Sequence, residues 1–192
     1  EAGSWLGIFG NDFINNGTGL MLMDLILDDP MFMSVTANNF SGNQNYSIHN
    51  QSEEEISALN NWWGHQDGPI VVGNLVPVAL NGAQAEGDPV SIDVLFDPWV
   101  ARVEVTPATA SADTGTSQTF TASVYNSDDT LVTAAGLDVQ FDITGVNPQS
   151  QTIGVSGGSA DFTYTGTQPG LDGVWAMVLF SGESTELRGS SL

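Results

Sequence analysis

The sequence predicts an all-β protein in which a short right-handed parallel β-helix is followed by a two-sheet β-sandwich. Three observations support this fold class. A pattern of an apolar run, Asn with an aromatic residue, and a polar Gly/Asn turn recurs in residues 1–69. Its copies are separated by the period of a solenoid coil rather than of a helical bundle. From residue 101 onward the composition changes to Thr, Ser, Val and Ala in alternating runs.

The repeats of the first part start at Asn11, Asn38 and Asn60, which are 27 and 22 residues apart. In the first two copies an aromatic residue follows the Asn, and a Gly- and Asn-rich turn leads to the next apolar run. Short strands that each bury one face on the next coil are typical of a parallel β-helix.

The second part has the period-two pattern of half-buried strands. Strands of this length, separated by Gly, Asn, Asp or Pro over about 90 residues, favour a sandwich of two sheets. The last strand, around residues 184–187, has the weakest pattern. The alternating apolar positions are Phe120, Ala122 and Val124, then Val139, Phe141 and Ile143, then Phe162 and Tyr164.

We therefore expect parallel β-helix coils over residues 1–69, a closing segment and linker over 70–100, and the sandwich over 101–192. The chain begins Glu1-Ala2-Gly3, without an initiator Met or a charged leader. We interpret it as a processed or excised piece of a longer protein, or as a mature form after signal cleavage.

Composition excludes several classes of function. The chain has 192 residues with 23 Asp and Glu against 2 Lys and Arg, a net charge of -21. Binding nucleic acid or an anionic membrane surface requires basic side chains. No apolar run of 18 or more residues is available to span a membrane. Because Cys is absent, disulfides and thiol chemistry are excluded. We expect a secreted protein, extracellular or at the cell surface.

Residues 5–100 resemble the closing segment of secreted prokaryotic parallel β-helix proteins of the pectate-lyase-like superfamily. That resemblance implies the last coils of a solenoid, with most of the helix upstream of Glu1. The strings that carry it are Asn60-Asn61-Trp62-Trp63-Gly64, Asp67-Gly68-Pro69, Gly87-Asp88-Pro89-Val90-Ser91 and Val94-Leu95-Phe96-Asp97-Pro98-Trp99-Val100.

Residues 101–192 resemble a bacterial immunoglobulin-like module of the kind repeated in intimin- and invasin-type adhesins. A polar hairpin typical of that family is matched by Asn126-Ser127-Asp128-Asp129. The other matching strings are Val105-Thr106-Pro107, Gly115-Thr116-Ser117-Gln118-Thr119-Phe120, Val139-Gln140-Phe141-Asp142-Ile143 and Ala160-Asp161-Phe162-Thr163-Tyr164.

The sequence predicts a protein that is not an enzyme. A polysaccharide lyase needs a basic residue as the catalytic base, and residues 1–100 contain no Arg or Lys. A glycosidase needs paired carboxylates. Asp28-Asp29 precedes Pro30 in a turn-like sequence, and Glu53-Glu54-Glu55 follows Ser52. We therefore favour a solvated turn over a catalytic pair as the interpretation of both clusters.

Trp62, Trp63 and Trp99 allow two interpretations. Exposed together, their rings could stack on the faces of a surface glycan. Alternatively, one or more of them plug the end of the solenoid, where apolar side chains would otherwise meet water. The plug is the favoured interpretation, and the glycan site stays the alternative.

Carboxylates without basic neighbours suggest that cations stabilise or bridge the chain. Calcium binds six to eight oxygen ligands, and candidate donors are Asp28, Asp29, Asp128 and Asp129. No known calcium-loop pattern places a site, so a generic acidic extracellular surface stays the alternative. No other cofactor is suggested.

The first coil raises the question of a partner. Its apolar residues are Trp5, Leu6, Ile8 and Phe9. With no coil above them, core surface and strand edges would stay open on the upper side of this first coil. Copies of the chain could then stack head to tail into a filament. We therefore expect a structural or adhesive surface protein, with self-assembly into a filament through this end as one of its candidate forms. The alternative is a non-catalytic cap and spacer of a larger carbohydrate-active or glycan-binding β-helix protein.

Overall fold

The computed structural model describes residues 5–23, 32–52, 54–72, 85–180 and 183–191. Regular structure in these ranges is β-strand without any helix, so the predicted all-β class is confirmed. None of the described segments forms a helix capable of crossing a membrane. By its contacts the chain divides into unit 1, Glu1–Ala101, and unit 2, Arg102–Leu192. This division lies one residue beyond the predicted boundary.

Unit 1 contains two parallel sheets, and the chain adds strands to them alternately through its first five strands. Sheet 1 has the order β1-β3-β5-β8 and sheet 2 the order β2-β4-β7-β6. Neighbouring strands in both sheets run parallel. The strands are β1 Trp5–Phe9, β2 Thr18–Leu22, β3 Phe32–Thr36, β4 Tyr46–Asn50, β5 Ile56–Ser57, β6 Pro69–Val72, β7 Gly87–Ser91 and β8 Val94–Leu95.

We define a rung as one strand of sheet 1, the turn after it and one strand of sheet 2. Rung 1 is residues 5–22 and rung 2 is residues 32–50. Rung 3 is residues 56–64, completed in sheet 2 by β7 from further along the chain. Single parallel bridges also join Asp12 to Asn39 and Asn39 to Trp62, so the turns stack as the strands do.

The third rung is shifted by one residue from its predicted alignment. Asn61, not Asn60, lies beneath Asn38. Asn60 instead aligns with Ala37 and Gly10, because the N–H of Gly10 donates to the carbonyl of Ala37 and that of Ala37 donates to the carbonyl of Asn60. All three residues have positive φ angles, 66°, 54° and 56° along the chain. Asn adopts this region more readily than most side chains, so Asn60 is the turn residue and the predicted start was wrong by one position.

Strand β7 lies between β4 and β6, out of chain order. The chain thus goes from rung 3 to the outermost position of sheet 2 in β6, and then returns to the inner position in β7. Val71, Val90 and Val94 of these later strands are buried with the residues of the first rungs. The described residues of the predicted closing segment and linker, 70–72 and 85–100, therefore belong to unit 1.

The side of the stack at β8 and β6, which we call the closed end, includes residues 96–100, which follow β8 beneath the turn of rung 3. Phe96 and Trp99 pack against the core, with their ring centroids 6.1 Å apart. The Trp99 Nε1–H donates to the carbonyl of Gln66 at 2.9 Å. Its ring also lies so close to Gly68 that a Cβ there would come within 2.6 Å of it. Trp99 is thus held over the turn before β6 by its ring and by its indole N–H.

The opposite side, which we call the open end, is formed by β1 and β2, the outer strands of the two sheets. Beneath it a single apolar cluster runs down the stack. Its buried members are Leu22, Val35, Phe40, Ile48, Ile56, Ala58, Trp63, Val71, Val90 and Val94. Ile8, Phe13 and Leu20 of rung 1 pack on this cluster but are only half-buried.

Unit 2 contains two further sheets, with orders β13-β10-β9 and β12-β11-β14-β15. Strand β10 pairs antiparallel with β13, and all three pairs of the second sheet are antiparallel. The strands are β9 Val100–Thr106, β10 Ser117–Asn126, β11 Leu137–Gly145, β12 Gln149–Gly154, β13 Ser159–Thr165, β14 Asp172–Phe180 and β15 Glu183–Ser191.

The predicted alternation in unit 2 is confirmed. In β10 the apolar residues Phe120, Ala122 and Val124 are buried and the residues between them are not. Rings of the two sheets meet at Phe141 and Phe162, whose centroids are 5.1 Å apart. The weakly patterned last strand is the nine-residue β15.

Candidate functional site at the open end of unit 1

An asparagine ladder runs through the turns of the three rungs. The main-chain N–H of Asn11 donates to Oδ1 of Asn38 at 2.9 Å, and that of Asn38 donates to Oδ1 of Asn61 at 2.9 Å. The Nδ2 groups of Asn11 and Asn38 donate to the same two acceptors at 3.1 Å. Asn38 and Asn61 are fully buried, whereas Asn11 is exposed. Each Oδ1 therefore accepts from the rung above it, and among the described residues nothing donates to Oδ1 of Asn11.

A second ladder starts five residues later. The N–H of Asn16 donates to Oδ1 of Asn43 at 3.1 Å, and the N–H of Asn43 donates to Oδ2 of Asp88. Asn43 is buried and Asn16 is exposed. The third position is a carboxylate because β7, rather than the turn of rung 3, supplies it. Within the described part of the chain, Oδ1 of Asn16 also lacks a donor.

Aromatic rings stack beside the two ladders. Phe13 lies on Phe40 with centroids 4.8 Å apart, and Phe40 lies on Trp63 with centroids 5.1 Å apart. The interplanar angles are 7° and 14°. Rungs 1 and 2 thus share one pattern, Asn–x–Phe–x–x–Asn, at residues 11–16 and 38–43. The spacing of five between its two Asn residues is the signal that would have located both ladders in the sequence.

The predicted self-association residues lie on β1, at the open end. Leu6 is 43% exposed and Phe9 is 55% exposed, and Met21 of β2 and Met23 after it are exposed as well. Ile8 instead packs against the core. The backbone of Trp5 pairs with Phe32 at the start of the strand. Exposed apolar side chains therefore lie along the outer strands of the unit, although Phe9 and Met21 alternate with the core-facing Ile8 and Leu20 and so lie on the outer faces of the sheets.

The rings predicted as a glycan platform are not exposed together. Trp62 is 3% exposed and Trp63 is fully buried beneath Phe40. Trp99 is half-buried over Gly68. A stacking platform needs free ring faces, and Trp62 and Trp63 do not have them. Their part in the predicted platform is therefore wrong, because the stack of rungs takes both rings into its interior.

The predicted metal ligands are not brought together. Asp28 and Asp29 lie outside the described residues. Asp128 and Asp129 are exposed in the turn after β10, where Asn126 Oδ1 accepts the N–H of Asp128 at 3.1 Å. Asp129 binds Arg102 at 3.1 Å. In the described ranges no three carboxylates or histidines approach one another closely enough to share a metal ion.

Sequence reasoning did not find a partner for His65. Its Nδ1 lies 3.5 Å from the Asp67 carboxylate and its Nε2 lies 3.4 Å from that of Glu86. Glu86 is 21 residues away and is placed here by the return of the chain into β7. The side chains of all three are substantially exposed, so the group forms a surface cluster in the turn before β6.

Unit 2 has a cavity of about 370 Å³ whose polar groups bond to one another. Tyr164 donates from its hydroxyl to Asp172, and Asn147 Nδ2 donates to the same oxygen at 2.7 Å. Burial, and then the hydrogen bond to Asp172, raises the pKa of Tyr164 to about 12. Burial raises the pKa of Asp172, but the bonds from Tyr164 and Asn147 outweigh it and the net direction is down. This network joins the segment after β11 to the start of β14, a structural role.

Asp88 is the one ladder group with a titratable side chain, and burial raises its pKa against the opposing bonds from Asn43 and Ser47. A group whose pKa is higher in the folded than in the unfolded protein adds stability at pH values below its unfolded-state pKa. This stability is lost as the pH rises through its folded-state pKa. We expect Asp88→Asn to increase the free energy of unfolding at pH 7 by about 1 kcal/mol, because the amide oxygen keeps the ladder bond without a buried charge. The gain should shrink as pH falls toward 3.8.

The measurement is urea unfolding of both chains between pH 3.5 and 8 at constant ionic strength. Asp93→Asn is the matched control: Asp93 is exposed with a φ of 62°, so this change removes the same charge at a position that tolerates Asn. Equal gains in the two variants would mean that only net charge matters and would contradict a specific cost at Asp88.

No protein-family model matches the sequence, and no curated protein does.

Proposed function

We propose that the chain is a non-catalytic structural module of an extracellular or cell-surface protein. In this proposal unit 1 is the end of a right-handed parallel β-helix, and unit 2 is an immunoglobulin-like sandwich. Its work is to close the stack of rungs and to hold the following module, as a cap and spacer. The parallel sheets, the stacked turns and the antiparallel sheets of unit 2 support these assignments.

The observation that carries the proposal is the difference between the two ends of unit 1. At the closed end Phe96 and Trp99 cover the core, β8 has two residues, and β6 begins with Pro69, which has no N–H to offer. At the open end β1 and β2 are five residues each, with apolar side chains beside them. Terminal repeats of solenoids are covered on one side and pack on a neighbour on the other.

The sequence supports the absence of catalysis. Arg102 is the first basic residue, so unit 1 has no Lys or Arg to serve as the base of a lyase or as a clamp for an acidic sugar. The charged groups at its ladders, above all Asp88, are held by main-chain and side-chain donors of the stack.

Head-to-tail assembly into a filament is the second candidate. The observation in its favour is that both outer strands of sheet 1 carry an exposed apolar side chain, Leu6 of β1 at 43% and Leu95 of β8 at 47%. Copies would then stack β8 on β1, and the carboxylates would need cations to approach one another.

The test is sedimentation velocity and negative-stain electron microscopy of the full chain, with calcium and with chelator. We expect reversible association into small species. The double variant Leu6→Ser/Phe9→Ser should lower the association constant at least tenfold. The control is Leu131→Ser in unit 2, since Leu131 is 42% exposed and matches Leu6 at 43%.

Each outcome decides between the candidates. Regular filaments would favour head-to-tail assembly, and their loss on chelation would assign a bridging role to calcium. Association that the control variant weakens as much as the open-end variant would overturn the open end as the surface through which copies associate. Monomers in every condition would overturn head-to-tail assembly and favour the cap.

A further inference from the structure

We infer that unit 2 binds a neutral polysaccharide on the outer face of its four-stranded sheet, with Trp175 as the ring on which a sugar stacks. The proposed function gives unit 2 only the work of a spacer, so a ligand site here goes beyond it. Every residue that carries the inference belongs to unit 2, and none lies at the open end of unit 1.

Trp175 lies in the middle of β14 and points away from the core. Its neighbours Val174 and Ala176 are 3% and 0% exposed, whereas Trp175 is 45% exposed. Strand β14 is an inner strand, between β11 and β15. The ring therefore lies near the centre of the outer face of this sheet rather than at its edge.

Polar side chains flank the ring on both neighbouring strands. Asp142 of β11 and Ser190 of β15 pair directly with Trp175. Gln140 and Arg188 lie two residues earlier on the same two strands, so they are diagonal neighbours of the ring. Diagonal positions are about 7–8 Å apart, within reach of long side chains. The ring thus has a carboxylate and an amide on one side, and a hydroxyl and a guanidinium on the other.

The charged groups of this face have hydrogen-bonding capacity left for a ligand. Gln140 donates from Nε2 to both carboxylate oxygens of Asp142, at 3.2 and 3.1 Å, which orients the carboxylate and leaves acceptor sites on it. Arg188 is exposed, and among the described residues no carboxylate forms an ion pair with it. The other basic residue of the chain, Arg102, is by contrast bound to Asp129.

A pyranose ring matches this set of groups. Its C–H groups pack on the face of an indole ring, while its hydroxyls both donate and accept hydrogen bonds. The carboxylate of Asp142 would accept from one hydroxyl, and the guanidinium of Arg188 would donate to another. Hydrogen bonds with one charged partner are the stronger kind. Small-molecule sites generally combine an aromatic surface with a few placed polar groups in this way.

Charge and composition select a neutral sugar as the occupant. The chain carries a net charge of -21, and a field of that sign lowers the local concentration of anionic polymers. Asp142 beside the ring would also repel a sugar carboxylate. A protein partner fits less well, because the centre of a protein interface is depleted of charged residues. Here Asp142 and Arg188 both lie next to the exposed ring.

The test is binding of the full chain to polysaccharides, measured by affinity gel electrophoresis or, for insoluble polymers, by depletion of protein from solution. The neutral probes are cellulose, chitin, xylan, mannan and laminarin, and the acidic probes are alginate and polygalacturonate. We expect a neutral probe to bind, and Trp175→Ala to lower the association constant about tenfold or more. Asp142→Ala should lower it about threefold or more, because one acceptor is lost.

Each variant has a matched control in unit 2 away from this face. Leu131→Ala removes an apolar side chain of similar exposure, 42% against 45% for Trp175. Asp161→Ala removes an exposed carboxylate from β13, in the other sheet. Both controls should bind like the parent chain. Trp175→Phe keeps a ring and should retain most of the binding that Trp175→Ala loses.

A footprint of the parent chain gives a reading that needs no variant to fold. With a soluble oligosaccharide of the bound polymer at saturation, hydroxyl-radical oxidation of Trp175 should fall about threefold or more. Oxidation of Met177, which pairs with Gln140 and Arg188, should fall with it. The half-buried Trp99 of unit 1 is the reference and should not change.

Several results would overturn the inference. These are the binding of no neutral probe, binding of acidic probes alone, or folded Trp175→Ala that binds as the parent chain does. Protection of Trp99 in place of Trp175 would put the sugar on unit 1. Protection of Trp175 that rises with protein concentration in the absence of sugar would make a second copy the occupant. None of these results bears on the cap, whose test is association through Leu6 and Phe9.

Discussion

Replacing Asn38 with leucine is expected to cost unit 1 about 4–6 kcal/mol of unfolding free energy, the sum of several buried polar groups left without partners at about 1–3 kcal/mol each. Its Oδ1 accepts two bonds from Asn11, and its Nδ2 donates to the carbonyls of Ile8 and Thr36 at 3.0 Å. Leucine has a similar volume, so the loss comes from hydrogen bonding rather than from a cavity. A loss of this size approaches the whole stability of a domain.

The measurement is urea unfolding followed by Trp fluorescence, which reports mainly on unit 1 because Trp62, Trp63 and Trp99 lie there. Asn11→Leu is the matched control, at the same ladder position but exposed. It should cost less than half as much, since water can replace its partners. Equal losses at the two positions would show that burial of the ladder does not govern its contribution.

Truncating Phe40 to alanine is the second large effect, at about 3–5 kcal/mol for an aromatic ring removed from a packed core. Phe40 is fully buried between Phe13 and Trp63. Its removal therefore leaves a cavity and breaks two stacked contacts, each contributing about 0.5–1.5 kcal/mol beyond area burial.

Phe162→Ala provides the comparison, because Phe162 is equally buried and stacked, but in unit 2. Hydrogen exchange resolved by segment separates the two units. We expect Phe40→Ala to speed exchange in the strands of rungs 1 and 2 and to leave β10 and β11 unchanged, and the reverse for Phe162→Ala. A change in both units from either variant would contradict the separate cores.

The sequence predicted unit 2 better than unit 1 for a physical reason. In antiparallel strands with one buried face, alternation at Phe120, Ala122 and Val124 marks that face directly. In unit 1 the Asn repeat was visible, but its third start was assigned to Asn60, because nothing local distinguishes a left-handed turn residue from the ladder residue beside it. Only the bonds between rungs make that distinction.

Two features of unit 1 depend on contacts between distant residues and could not be predicted from pattern. The position of β7 between β4 and β6 places Asp88 beneath Asn43, 45 residues earlier in the chain. The burial of both Trp62 and Trp63 follows from the same stacking, whereas the sequence favoured only that one or more of the tryptophans would plug the end of the solenoid.

The place of β7 also determines how the chain can fold as it leaves the ribosome. Rungs 1 and 2 can form in the order of synthesis, each on the one before. Strand β6 cannot, because its only described strand partner is β7 and the two strands end 19 residues apart, at Val72 and Ser91. At about 5–20 residues per second the early strand waits about one to four seconds for its neighbour. The closed end therefore cannot be completed rung by rung, and the nascent stack stays unfinished until β7 has emerged.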